Sequence, residues 1–136
     1  MDSCELDDQT FLAAFESATL PERSFRHRDH VRAAWLLLRE APPAAALARF
    51  TEALKRFAAF LGKAQLYHET ITWAYVLLIN ERMRRGGQTH CWRDFAAANS
   101  DLLTWRPSIL DAYYREETLR SDLARSVFVL PDRISP

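Results

Sequence analysis

LYHETITWAYVLLINERMRR, residues 66–85, decides the fold class. From Ile71 to Ile79 nearly every position is apolar, so a helical wheel keeps no wide solvent-facing stripe. A helix that is apolar on all sides is ordinarily enclosed by others. The segment therefore predicts a central helix over roughly 66–85, stopped by Gly86 and Gly87. Its first turns carry the opposite chemistry, with His68, Glu69, Thr70 and Thr72. Polar groups at the end of a buried helix need partners, because each one left unbonded costs about 1–3 kcal/mol.

The remaining segments read as helices too. Phe11, Leu12 and Phe15 mark a first helix with Asp7 or Asp8 as its cap, and Pro21 falls in the loop that follows. A second helix starts near Arg28, runs through VRAAWLLLRE and stops at Pro42 and Pro43. Pro43 suits the first position of a third helix, where an N–H would find no intrahelical partner. Leu47, Phe50, Leu54, Phe57 and Leu61 then recur every three or four residues, and Gly62 supplies a left-handed stop. Shorter helices are expected over 89–98 and 107–119, with another capped by Ser121. FVLPD, residues 128–132, reads as an apolar tail docked on the bundle. No repeat, linker or low-complexity tract divides the chain. Residues 1–136 are expected to form one all-α domain, a compact bundle of five to seven helices.

Composition narrows the function classes. Hydrophobic residues make up 49% and charged residues 26%, a globular rather than disordered balance. Eighteen basic and eighteen acidic side chains cancel, so no overall field favours nucleic acid or an anionic membrane. The distribution is uneven, with six acids and one base in residues 1–24 and eight bases and three acids in residues 26–63. The apolar run from Trp73 to Ile79 is too short to span a bilayer. MDSCELDDQT reads as neither a signal nor a transit peptide, so the expected compartment is the cytoplasm. Cys4 and Cys91 make no disulfide framework, and nothing in the pattern fixes an oligomeric state.

The candidate chemistry lies at two helix starts. In FRHRDH, residues 25–30, His27 and His30 stand three apart, so both rings can lean toward one point. Imidazole nitrogen is a ligand for zinc, iron, copper or nickel. His68 is the natural third ligand, and three nitrogens would leave an open position on one transition metal ion. Glu69 would then be a fourth ligand or a base that moves protons, and Asp29 would cap its helix or orient a ligand. The pattern is not HExxH, because the glutamate does not lie between the paired histidines. Thr72, Trp73 and Tyr114 are candidate substrate contacts, and Trp35, Tyr67 and Tyr75 would add apolar walls. His90 reads as a residue near a cap, and Cys91 as a small buried hydrophobe.

Three blocks carry a resemblance. FRHRDHVRAAWLLL, YHETITWAY and ILDAYYREETLRSDLARSVFVLPD resemble a family of small bacterial proteins of uncharacterised activity. The resemblance covers most of the chain from Phe25 onward and implies one compact domain. The residues themselves give two functional expectations. One is a small metal-dependent enzyme acting on a largely apolar organic molecule, by metal-hydroxide hydrolysis or oxygen-dependent oxidation. The other is a metal-free module that binds a small molecule or a partner around a histidine-containing polar core.

Overall fold

The computed structural model describes residues 3–21, 26–87 and 91–133. Among these, eight α-helices occur with no strand: α1 (Ser3–Glu16), α2 (His27–Glu40), α3 (Pro43–Phe60), α4 (Glu69–Arg85), α5 (Trp92–Ala98), α6 (Ser100–Leu103), α7 (Glu116–Arg120) and α8 (Asp122–Ser126). Two 3-10 turns, Ala64–Leu66 and Ile109–Ala112, join them. The architecture is an all-α bundle. Among the described residues no helix is long and apolar enough to cross a membrane.

The centre is shared by α2 and α4. α4 packs against α2, α3 and α8, while α1 lies across α2 and α3. α2 is the more enclosed of the two, with Val31 and every residue from Ala33 to Leu38 buried. α4 instead keeps Leu77 exposed. Trp35 anchors the main core against Trp92 and Phe95, at ring distances of 5.8 and 5.9 Å. A smaller cluster of Ala74, Tyr75, Leu110 and Tyr114 joins α4 to the C-terminal third.

Local signals set several boundaries as expected. Pro43 opens α3, and Gly62 ends it at φ +71°, where Lys63 N–H bonds the Ala58 carbonyl at 2.8 Å. Ser121 caps α8 by accepting Ala124 N–H at 3.1 Å. Other boundaries differ. α1 begins at Ser3, so neither Asp7 nor Asp8 caps it. Asp8 is buried inside the bundle and takes the Arg32 guanidinium at 2.5 Å. The expected helix over 107–119 is broken into a 3-10 turn and α7, because Ser108 Oγ caps the first piece at Leu110 and the Asp132 carboxylate takes Arg115 N–H ahead of the second. α5 starts at Trp92; the expectation for His90 lies outside the described residues.

The uneven charge is an internal matter. Acidic Asp8 and Glu16 on α1 face basic Arg32 and Arg49 on α2 and α3, and Arg56 bonds the Glu16 carbonyl. The acids of the first helix thus neutralise part of the basic stretch that follows.

The tail docks by backbone as much as by apolar contact. Phe128 stacks on Trp73 at 5.2 Å, and Tyr114 donates its phenol to the Val129 carbonyl at 2.7 Å. Asp132 N–H and Arg133 N–H both donate to the Tyr113 carbonyl, and Asp132 also takes the Thr118 hydroxyl.

Candidate functional site: a cavity between α2, α3 and α4

A cavity of about 530 Å³ opens between α2, α3 and α4. The stripe that builds the core also lines it, through Phe50 and Leu54 of α3, Val31 of α2, and Ile71, Val76 and Ile79 of α4. Its polar lining is His27, His30, Tyr67, His68, Thr72 and Tyr75, with Lys63 and Arg125 the charged groups. Among the described residues, no aspartate or glutamate lines it. Packing voids in protein interiors seldom exceed a water molecule, so a space of this size is a binding cavity in scale.

His27 is the first residue of α2. Its Nε2–H donates to the Leu102 carbonyl at 2.8 Å, which leaves the lone pair on Nδ1. Tyr75 meets the imidazole edge-on at 4.7 Å, and Trp105 lies tilted against it at 5.0 Å. Burial holds His27 below its ordinary pKa, with the Leu102 bond acting the other way. His30, one turn further along, is pushed down to about 3 by burial and by the neighbouring His27. Asp29 completes the helix start, its carboxylate accepting Arg26 N–H at 3.0 Å. That is the capping role expected of it.

His68 is the N-cap of α4. Nδ1 accepts Ile71 N–H at 3.1 Å, so the proton sits on Nε2, which donates to the Leu119 carbonyl at 2.6 Å. Both ring nitrogens are therefore engaged by backbone. Burial, with a contribution from the Arg125 charge, keeps the ring below its ordinary pKa. Thr72 donates its hydroxyl to the His68 carbonyl at 2.7 Å, and Tyr75 shares a 2.8 Å bond with Ser108 Oγ.

The expected metal ligands converge on one cavity without forming a ligand set. His27 and His30 line it together, but His68 offers no nitrogen lone pair while it caps α4. Among the described residues, no group of three or more His, Cys, Asp or Glu side chains could hold a metal ion. Glu69 is not among the lining residues. Its carboxylate takes the Tyr67 phenol at 2.5 Å, and burial together with that acid pushes the phenol well above its usual range.

Of the expected substrate contacts, Thr72 lines the cavity. Trp73 faces the tail instead, stacked on Phe128, and Tyr114 is buried with its phenol on Val129. Tyr67 and Tyr75 do form walls, whereas Trp35 belongs to the core. Trp105, Lys63 and Arg125 line the cavity without having been expected there. An indole in the loop segment TWRP, where no helical stripe would bury it, is the one sequence signal that pointed to Trp105. Cys91 is buried and does not line the cavity.

Compared with known proteins, the chain matches no family model, no curated protein and no solved structure.

Proposed function

We propose that this chain binds a small, largely apolar organic molecule in the cavity between α2, α3 and α4, as a metal-free module. The observation that carries the reading is the cavity itself, about 530 Å³ with mostly apolar walls and polar groups fixed by protein bonds. Such a lining orients a ligand and selects its shape. Of the residues that could act on a substrate, Thr72 donates its proton to a backbone carbonyl, and Glu69 takes the Tyr67 phenol outside the lining.

The metal-dependent reading, with one ion on His27, His30 and His68 and Glu69 moving protons, requires His68 to release its helix cap. Coordination through Nδ1 would cost the Ile71 bond and leave the Leu119 bond in place. Loss of the cap is a cost that a preformed metal site avoids.

The test pairs a neutral dye with elemental analysis. Nile red should bind the purified, untagged chain with a fluorescence rise, and Ala58→Trp, which puts an indole into the cavity wall, should abolish it. Metal content should be well below one equivalent, and EDTA should leave dye binding unchanged. One equivalent of a transition metal lost in His68→Ala would instead sustain the metal reading. Dye binding that ignores Ala58→Trp would remove the cavity from the argument.

A further inference from the structure

Three rings from distant parts of the chain meet in the cavity wall. His27 and Tyr75 pack edge to face at 4.7 Å, Trp105 lies 5.0 Å from His27, and the Tyr75 and Trp105 centroids are 6.4 Å apart. All three line the cavity. They come from the first turn of α2, the middle of α4 and the loop after α6. Tyr75 is buried and its hydroxyl is held by Ser108, so the ring rather than the phenol oxygen serves as wall. Trp105 differs, because the indole is 45% exposed although it lines the cavity. Its uncovered surface is aromatic area that a bound molecule can take out of water.

One polar atom in this cluster stands without a protein bond. His27 Nε2–H donates to the Leu102 carbonyl, so Nδ1 carries the lone pair, and among the described residues no group donates to it. Burial holds the ring below its ordinary pKa, which keeps that lone pair free of a proton at neutral pH.

We infer that the ligand is a planar aromatic molecule bearing a hydroxyl or N–H donor, with its ring stacked on the Trp105 indole and its donor bonded to His27 Nδ1. The inference rests on the cavity-binding reading above and adds the chemical class of the ligand. A saturated molecule of the same shape would cover the same area without the offset or edge-to-face contact that aromatic pairs gain. An aromatic molecule without a donor would displace water from Nδ1 and leave the acceptor unpaired, which a site of this kind penalises.

Displacement of bound Nile red by three probes tests this: β-naphthol, its saturated analogue β-decalol, and its methyl ether, each read as an inhibition constant. β-Naphthol should bind about three- to tenfold more tightly than β-decalol. It should exceed the ether by a similar factor of about three to ten, although the ether is the more apolar. Trp105→Leu should weaken β-naphthol and leave β-decalol nearly unchanged, whereas Trp105→Phe should keep most of the preference. His27→Phe retains a ring without the acceptor and should close the gap between β-naphthol and its ether. Should that variant unfold for want of the Leu102 bond, the wild-type comparison of the two carries this arm of the test. Equal binding of β-naphthol and β-decalol overturns the inference, as does equal binding of β-naphthol and its ether, or a preference untouched by Trp105→Leu. In those cases dye binding and its loss in Ala58→Trp leave the cavity reading standing. Absence of dye binding removes both.

Discussion

Thr70→Val is expected to cost about 2–3 kcal/mol and to loosen the C-terminal segment, although the two side chains have nearly the same shape. Thr70 is fully buried in the first turn of α4. Its hydroxyl donates to the Val127 carbonyl at 2.9 Å and accepts Val129 N–H at 3.0 Å, so one oxygen satisfies two backbone groups of the tail. Valine would leave both without their partner. The stacking of Phe128 on Trp73 depends on the same docking, as does the bond from Tyr114 to Val129. Urea unfolding should show the loss, and amide exchange over 127–133 should speed up selectively. Thr70→Ser keeps the hydroxyl and should cost less than about 1 kcal/mol with the tail still protected. Equal effects of the two substitutions would show that the hydroxyl is not what holds the tail.

Thr70 also shows where sequence reading stops. As the second residue of a helix it reads as ordinary first-turn chemistry, while its partners lie more than fifty residues away. The same holds for His68. Helix-start rules favour serine, threonine, aspartate or asparagine as the cap, so a capping histidine reads as surplus chemistry and becomes a candidate metal ligand. Its Leu119 carbonyl partner is invisible at helical spacing. Asp8 makes the converse case, where a residue that suits a local cap serves a distant arginine instead. Features settled within a few residues were legible, among them the Pro43 start, the Gly62 stop, the Ser121 cap and the apolar stripes that make the chain all-α. Placing polar residues at two helix starts also located the cavity's polar end, because His27, His30, His68 and Thr72 do line it. The cavity itself was not legible. A void is the space that side chains fail to fill, and periodicity reports only which face of a helix is apolar.

Acid should destabilise this protein well before its carboxylates titrate. His30 is pushed down to about 3 in the folded chain, first by burial and then by the neighbouring His27, whereas an unfolded histidine titrates near 6.5. Between those values the unfolded chain binds a proton that the folded chain refuses, so stability rises with pH and is lost as pH falls below about 6.5. Above that value both states are neutral at His30 and the contribution is flat. For His30 alone the loss from pH 7 to pH 5 is about 2 kcal/mol. His27 and His68 are held low by burial as well and act in the same direction. For His68 the reason is geometric too, since a proton on Nδ1 would face Ile71 N–H and break the cap of α4. Urea unfolding followed by tryptophan fluorescence at the two pH values should show a midpoint lower by about 1 M at pH 5. His30→Leu, whatever its stability at pH 7, should show a pH dependence smaller by about 2 kcal/mol over the same interval. A midpoint that holds or rises on acidification would contradict the neutral cavity, and an unchanged slope in His30→Leu would place the proton uptake elsewhere. The comparison bears on function because the cavity's imidazoles, His27, His30 and His68, are then neutral at pH 7 and offer a bound molecule polar groups without charge.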